Sequence, residues 1–287
     1  MAFADAVMDW YAVHARDLPW RRPGTSPWAV LVSESMLQQT PVARVLPVWT
    51  EWLRRWPEPA ALAAAPAGDA VRAWGRLGYP RRALRLHESA RIVTDRYAGR
   101  VPDDLTDLLA LPGVGDYTAR AVACFAYSRR VAVVDTNVRR FVARACSGQE
   151  VAGPASTARD NAAVEQLLPV RPEAAARFSV AVMELGALIC TARSPACGVC
   201  PVRRSCAWVK AGRPAYSGPR RPAQGFTGTD RQVRGLLLDV VRTSDGAVAP
   251  ADLAVLWPGV EQRERALAGL VTDGLVVPVV GGYALPS

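Results

Sequence analysis

The sequence predicts a mainly α-helical protein that ends in a small mixed module. Up to Lys210, Ala and Leu are frequent and apolar residues recur at spacings of three and four, the period of a helix packed on one face. Proline and glycine interrupt these runs at 22–27, 56–59, 65–68 and 111–115, where helices are expected to end. Half of the 287 residues are hydrophobic, which suffices for a full core and excludes an intrinsically disordered chain.

Local signals indicate where some of these helices begin. Asp69 and Asp103 lie at positions typical of a helix N-cap. Residues 131–134 are rich in Val and resemble a strand in composition, but a helical run follows them directly. We therefore interpret this stretch as a buried loop that enters a helix.

The composition changes after Lys210. Residues 213–228 are rich in Pro, Gly and Arg, which predicts a linker. Beyond the linker the sequence predicts three helices and then a hairpin with Gly281 and Gly282 in its turn, over 230–242, 249–257, 261–272 and 275–285. Three helices followed by a hairpin resemble a winged-helix domain, which we predict over 229–287.

Charge is distributed unevenly along the chain. Lys and Arg number 35 and Asp and Glu 26, a net charge of +9, and Lys210 is the only lysine. Residues 225–287 contain five Arg and seven acids, so they carry −2 and the remainder carries +11. The basic part predicts a polyanionic partner, although a GC-rich genome also favours Arg over Lys. The acidic end predicts a packing or partner role.

No segment of the sequence indicates a membrane. No apolar run reaches the roughly 18 residues that a membrane helix needs. The first residues contain acids and no basic leader before an apolar stretch, so we expect a cytoplasmic protein with no membrane association.

Four of the six cysteines form one short cluster, Cys190-x6-Cys197-x2-Cys200-x5-Cys206. In a cytoplasmic chain this spacing indicates a metal or cluster site rather than disulfides. Zinc also accepts four thiolates, but zinc ribbons join two Cys-x2-Cys pairs and only one is present. A single compact loop favours a cubane iron–sulfur cluster.

The segment Leu111-Pro-Gly-Val-Gly115 lies between two helical runs. Gly113 and Gly115 permit a tight turn, after which backbone N–H groups at the start of the next helix are free to bind a phosphate without reading bases. An ordinary helix–helix turn is the alternative.

Together, this turn, the segment Val134-Asp-Thr-Asn-Val138 and the cysteine loop resemble the endonuclease III superfamily of DNA glycosylases. The segment Ser33-Glu-Ser-Met-Leu-Gln-Gln-Thr40 is similar to the signature of its MutY family, which removes adenine mispaired with 8-oxoguanine or guanine. The resemblance covers roughly residues 5–210.

The resemblance implies the fold and the cofactor. It implies a six-helix barrel with a helix-hairpin-helix over 22–129, and a helical iron–sulfur domain formed by 1–21 and 130–212. It also implies a [4Fe-4S] cluster, held here by the four clustered cysteines, and a monomer that acts on double-stranded DNA with a mismatch. We further expect the cluster to shape a basic loop that contacts phosphates and contains Arg193, Arg203 and Arg204.

The resemblance also assigns catalytic roles. Glu34 matches the general acid that protonates the leaving adenine, and Asp135 matches the carboxylate that stabilises the oxocarbenium-like sugar. Asn137 matches a neighbour that holds this arrangement. Two carboxylates with different tasks suit N-glycoside cleavage, and burial raises the pKa of one of them towards neutrality. Tyr117 occupies the position of the lysine that forms a Schiff base in strand-nicking relatives, which implies a monofunctional enzyme.

The recognition residues are transferred in the same way. Gln38, Gln39 and Thr40 match the segment that faces the lesion-containing strand, where amides offer both donors and acceptors. Tyr79 matches an aromatic wedge that enters the base stack, and Arg21 matches a position that lines the adenine pocket. The predicted phosphate contacts come from four residues of the turn, Leu111, Gly113, Val114 and Gly115.

The sequence departs from the family at three places. Val180 replaces a polar residue that meets the adenine edge, and Pro80 replaces a second tyrosine. The segment after Thr229 is shorter than the family's MutT-like domain, so the resemblance implies no strong preference for 8-oxoguanine.

Two alternatives remain at this stage. The first is a thymine or uracil mismatch glycosylase, in which tyrosine also occupies the position of Tyr117. The second is a non-catalytic iron–sulfur protein that binds DNA, against which the retention of Glu34, Asp135 and Asn137 argues.

Overall fold

The computed structural model describes residues 3–218 and 225–287, and helices dominate it as predicted. Two 3₁₀ turns also occur, at Pro19–Arg21 and Cys197–Val199. The helices are α1 (Phe3–His14), α2 (Pro27–Leu37), α3 (Val42–Arg55), α4 (Pro59–Ala63), α5 (Ala67–Trp74), α6 (Arg81–Arg96), α7 (Leu105–Leu109), α8 (Asp116–Tyr127), α9 (Thr136–Ala145), α10 (Thr157–Glu165), α11 (Pro172–Leu188), α12 (Ala207–Lys210), α13 (Asp230–Thr243), α14 (Pro250–Ala254) and α15 (Val260–Thr272).

The predicted C-terminal helices and hairpin are confirmed. After α13, α14 and α15, strand β1 (Val277–Val279) pairs antiparallel with β2 (Gly282–Ala284), and Tyr283 also bridges to Val248. A Cβ atom at Gly282 would collide with the carbonyl oxygen of Val248. Glycine is therefore required where the hairpin meets this bridge.

Some predicted boundaries change in the structure. The N-cap of α7 is Asp104 rather than Asp103, and its carboxylate accepts from the backbone N–H groups of Thr106 and Asp107. Helix α5 begins after Pro66, so Asp69 lies in its first turn rather than at its N-cap. Residues 131–134 form neither strand nor helix and lead into α9, as predicted.

The described residues form two compact units. One contains 3–34, 103–110 and 114–218, and the other contains 35–102, 111–113 and 225–287. This division differs from the predicted domains, because the boundary falls inside α2 and the C-terminal residues share a unit with 35–102. Of the predicted linker, residues 219–224 lie outside the described residues, as do residues 1–2 of the predicted iron–sulfur domain.

The first unit is built around α11, which packs against α1 and α9. Its core includes Val7, Trp10, Phe141, Phe178 and Leu185, none of them more than 8% exposed. These apolar side chains recur at helical spacing, so removing them from water provides the driving force for packing the three helices together.

The second unit combines α4, α5 and α6 with the C-terminal helices α13 and α15. Trp52 is 1% exposed, and its ring meets those of Trp56 and Trp74 edge to face, with centroids 4.8 and 5.6 Å away. Edge-to-face contacts of this kind stabilise aromatic clusters beyond the area they bury. No helix among the described residues has the length and apolar character needed to cross a membrane.

Candidate active site

The first unit brings Glu34 and Tyr117 together. Glu34 lies on α2 and is 5% exposed, and the Tyr117 hydroxyl on α8 donates to its Oε2 at 2.9 Å. Burial raises the pKa of Glu34 to about 7, while the Tyr117 hydrogen bond and the charge of Arg21 oppose this shift. Glu34 therefore exchanges a proton near neutral pH, which is the requirement for a general acid or base. Burial beside this carboxyl also raises the pKa of Tyr117 well above its ordinary value, so the phenol stays neutral.

Asp135 caps helix α9 near the same place. Its Oδ1 accepts from the Val138 backbone N–H at 2.7 Å, and its Oδ2 accepts from Asn137 Nδ2 at 2.7 Å. Burial raises the pKa of Asp135 and the hydrogen bonds oppose that shift. The charge of Asp135 also helps to raise the pKa of Glu34. The structure thus brings together the two carboxyl groups that the sequence singled out, and their environments differ.

A buried ion-pair network lies beside these carboxyl groups. Glu184 on α11 has a fully buried side chain, and it accepts from Arg16 Nε and from Arg21 Nη1, each at 2.7 Å. These bonds hold the pKa of Glu184 at about 2 against the cost of burial. Arg21 is thereby fixed within electrostatic reach of Glu34. No local pattern in the sequence marks Glu184 as part of the site, because its partners are distant in sequence.

Asp135 is also linked to the cysteine loop. Asn137, which donates to Asp135, accepts from Arg140 Nη2 at 2.8 Å. Arg140 in turn donates to the backbone carbonyls of Cys190 and Gly186, at 2.7 and 2.6 Å. The backbone around the first cysteine therefore helps to set the orientation of the Asp135 carboxylate.

The four clustered cysteines line a single cavity with about 340 Å³ of empty space, part of it open to solvent. Its apolar walls include Phe141 and Trp208. Among the described residues no three His, Cys, Asp or Glu side chains are close enough to share one metal ion. The thiols instead stand around the walls of the cavity, a donor set that fits a thiolate-ligated cluster.

Arg144 fixes the backbone of this cysteine loop. It is 2% exposed, it stacks over the Trp208 ring at 4.8 Å, and its guanidinium donates to the carbonyls of Thr191 and Ala192 at 2.6 and 3.1 Å. A buried arginine bonded to backbone carbonyls fixes a loop that has no regular structure. The basic side chains predicted to contact phosphates, Arg193, Arg203 and Arg204, are all exposed.

The second unit brings Gln39 and Tyr79 together. The Tyr79 hydroxyl donates to Gln39 Oε1 at 2.9 Å, and the Tyr79 side chain is half exposed. Both residues have positive φ, 56° and 49°, a conformation that L-residues rarely adopt. Such backbone persists only where its neighbours hold it, and it is frequent at functional sites.

Arg82 supplies that support. It lies on α6, burial lowers its pKa to about 10, and its guanidinium spans the end of α2 and the segment after it. Five groups accept from Arg82, namely the carbonyls of Ser35, Met36, Gln38 and Gly78 and the hydroxyl of Thr40, at 2.8–3.1 Å. Gln38 is partly exposed and Thr40 is buried. No local pattern in the sequence distinguishes Arg82 from the other arginines of its helix.

The glycine turn precedes α8 as predicted. Gly113 has a φ of 78°, and a Cβ atom there would lie 2.9 Å from the Arg85 Cβ. Gly115 caps α8, and nothing lies within 4 Å of a Cβ built on it. Leu111 and Val114 are 2% and 8% exposed, so these two residues have only backbone groups to offer a phosphate.

Family models match the two regions that carry these features. Residues 32–166 match a model described as an HhH-GPD superfamily base excision DNA repair protein, and residues 190–206 match the iron–sulfur binding domain of endonuclease III. The fold and site therefore define a helix-hairpin-helix DNA repair glycosylase with an iron–sulfur domain. The predicted iron–sulfur cofactor is confirmed.

Similar proteins indicate to which family of DNA glycosylases this chain belongs. The chain is 58% identical over 283 residues to an adenine DNA glycosylase of Mycobacterium tuberculosis, covering 98% of this chain and 92% of the relative. The chain belongs to the adenine DNA glycosylase family. It is also 36% identical over 204 residues to a thymine/uracil-DNA glycosylase of Pyrobaculum aerophilum, covering 70% of this chain and 88% of that protein.

Solved structures agree on the fold. A thermostable thymine-DNA glycosylase superposes with a TM-score of 0.64 at 28% identity, over 73% of this chain and 95% of the other. A trapped complex of endonuclease III with DNA superposes with a TM-score of 0.62 at 24% identity, over 73% and 94%. The predicted helix-hairpin-helix glycosylase fold is confirmed.

Proposed function

We propose that this protein removes adenine mispaired with 8-oxoguanine or guanine from double-stranded DNA and leaves an abasic site. The observation that carries the proposal is the buried Glu34 carboxyl, whose pKa is about 7 and which Tyr117 contacts, beside the second carboxyl of Asp135. A proton donor and a carboxylate at one site are what N-glycoside cleavage requires.

In the proposed reaction, Glu34 donates its proton to a ring nitrogen of adenine as the C1′–N9 bond breaks. The bonding electrons leave with the base, and the ionised Asp135 stabilises the positive charge that develops on the sugar. Water then adds at C1′ and releases a proton. Asn137 holds the Asp135 carboxylate through its hydrogen bond, and Arg21, fixed by Glu184, lines the base pocket.

The tyrosine at position 117 explains why the proposed enzyme does not cleave the DNA strand. A strand-nicking relative needs an amine to form a Schiff base with the sugar. The only lysine of the chain is Lys210, in the short helix after the cysteine loop, and Tyr117 has no amine to offer. The abasic product therefore remains intact until another activity or alkali cleaves it.

We assign four residues of the second unit to base recognition. Gln38, Gln39 and Thr40 face the lesion-containing strand, and Tyr79 enters the base stack so that adenine leaves it. The turn formed by Leu111, Gly113, Val114 and Gly115 binds a phosphate through backbone N–H groups. One chain supplies every group in this scheme, so we propose a monomer, acting in the cytoplasm on genomic DNA.

The iron–sulfur cluster has a supporting role in this proposal. Cys190, Cys197, Cys200 and Cys206 would hold it through their thiolates, and it would supply a fixed centre around which the basic loop folds. Arg193, Arg203 and Arg204 are exposed on this loop, where they are free to contact phosphates. No step of base removal needs the cluster.

The second candidate is removal of thymine or uracil. Val180 on α11 offers no hydrogen bond to a base edge, and one relative that spans 70% of this chain is a thymine/uracil-DNA glycosylase. A pocket with fewer polar contacts discriminates less between bases.

A single-turnover assay separates the two candidates. Four duplexes are compared, with A opposite 8-oxoguanine, A opposite G, T opposite G and U opposite G, each with and without hot alkali, and E34Q serves as the inactive control. We expect release of adenine from the first two, and strand breaks only after alkali. Release of T or U instead would establish the second candidate, and breaks without alkali would contradict the monofunctional assignment.

A further inference from the structure

The loop that carries Tyr79 has an unusual set of backbone contacts. Residues 75–79, here called the Tyr79 loop, lie between α5 and α6 and have no regular structure. Four successive carbonyls of this loop accept from side chains: Gly75 O from Arg242, Arg76 O from Arg44, Leu77 O from Thr40, and Gly78 O from both Trp74 and Arg82. The fifth carbonyl, Tyr79 O, accepts from the Arg82 backbone N–H at 3.0 Å. Irregular backbone that is bonded at every carbonyl is held in one conformation.

One of these donors, Arg242, belongs to the C-terminal segment (residues 225–287). Arg242 is 8% exposed and donates to Gly75 O and, at 2.6 Å, to Asp239 Oδ1. Arg72 reciprocates by donating to the carbonyls of Arg242 and of Ser244. The end of α13 and the end of α5 are therefore fastened by bonds that run in both directions.

Further contacts join the C-terminal segment to residues before and after Tyr79. Before it, Arg76 forms an ion pair with Asp239. After it, Arg81 lies 3.2 Å from the Asp273 carboxylate at the end of α15. The chain end packs on α5 as well, since Gly68 N donates to Pro286 O at 2.7 Å.

Gly68 permits this contact between the chain end and α5. A Cβ atom at that position would collide with Pro286 O and with the side chain of Leu285. The close approach of the chain end to α5 therefore requires glycine.

Two arginines of the C-terminal segment form hydrogen bonds or ion pairs within the protein. Arg263 donates to the carbonyls of Ala254 and Trp257, and Arg265 pairs with Asp230 at 2.7 Å. Both lie on α15, the helix that a DNA-binding winged helix would place in the major groove. These bonds, and the acidic balance of residues 225–287, favour a supporting role over base reading.

We propose that the C-terminal segment holds the Tyr79 loop in position for DNA, and that Arg242 is the positioning residue through which it does so. The inference rests on the proposed function, in which Tyr79 enters the base stack. Because Tyr79 has a disfavoured positive φ, its conformation depends on the bonds around it, and the bond from Arg242 to Gly75 fixes the start of the loop.

A double-mutant cycle tests whether Arg242 acts through Tyr79. R242Q, Y79A and the double variant are compared by single-turnover base release and by the fluorescence of 2-aminopurine placed beside the mismatch, which reports opening of the stack. We expect R242Q to slow release about tenfold in the native background and less than about twofold in the Y79A background. The fluorescence change should fall in parallel. R265Q, which removes an exposed pair of the same segment, is the matched control and should change neither.

The other outcomes of this cycle contradict either the role of Arg242 or the wedge role of Tyr79. If R242Q slows release by the same factor in both backgrounds, Arg242 acts on general stability and the inference is overturned. If R242Q releases the base at the native rate while Y79A releases it slowly, the inference fails and the wedge role of Tyr79 stands. If Y79A changes neither signal, the wedge role fails and the inference fails with it. Should R242Q not fold, D273N loosens the other side of the loop and the same cycle applies.

Discussion

Burial raises the pKa of Glu34 to about 7. As the proposed general acid, Glu34 acts only when protonated, so the rate of adenine release should fall as the pH rises through about 7. The Tyr117 hydroxyl opposes that shift, since it donates to the carboxylate at 2.9 Å and so favours the ionised form. Removing it in Y117F should raise the pKa of Glu34 further. The descending limb of the pH–rate profile should therefore move to higher pH.

The size of the effect follows from the hydrogen bond. A bond to a charged group contributes about 1.5–3 kcal/mol and one pKa unit corresponds to about 1.4 kcal/mol, so the midpoint should rise by at least about one unit. The native protein should retain about a tenth of its low-pH rate at about pH 8. Y117F should retain about half of its own low-pH rate there.

The assay is single-turnover adenine release with saturating enzyme across the pH range. Y127F removes another phenol from the same helix, α8, and should leave the midpoint near 7. E34Q should release no adenine at any pH. A Y117F profile whose midpoint stays in place or moves to lower pH would refute the reasoning, because it would mean that Tyr117 does not stabilise the ionised carboxylate.

Three further predictions concern the rest of the site. D135N keeps the shape of the Asp135 side chain but removes its charge, so release should slow by about 10²–10³ while DNA affinity, measured by fluorescence anisotropy, stays unchanged. E184Q leaves Arg16 and Arg21 without their buried partner and should lower the free energy of unfolding by about 3 kcal/mol. E51Q, which removes an exposed pair with Arg54, is the control and should leave the melting temperature unchanged in the same thermal scans. Removing the cluster with a chelator should lower both the melting temperature and the DNA affinity, and unchanged binding by cluster-free protein would exclude the supporting role.

Several parts of the protein follow from local sequence. The period of the apolar residues predicted the helices, and the glycine pair marked the C-terminal hairpin, with Gly281 in its turn and Gly282 at the start of β2. The cysteine loop was recognisable because its four cysteines lie within 17 consecutive residues. These features depend on neighbours in the chain, so that the pattern of residues along it is sufficient to reveal them.

Contacts between distant residues explain what the sequence analysis missed. Arg16 and Arg21 bind Glu184 from 168 and 163 residues away, and Arg82 reaches the end of α2 from more than 40 residues away. An arginine in a helical run has the same local appearance whether it faces solvent or a buried carbonyl. Only the packing of the helices distinguishes the two cases.

By itself, the sequence determined the helical class, the cofactor loop and the residue types at the site, because each depends on short-range spacing. Only the tertiary structure decided that Glu34 is buried against Tyr117, and this burial raises the pKa of its carboxyl to about 7. It also decided that the C-terminal segment packs with α5 instead of standing apart. The pKa of a carboxyl and the docking of a helix both depend on which surfaces leave water, and those surfaces come from separate parts of the chain.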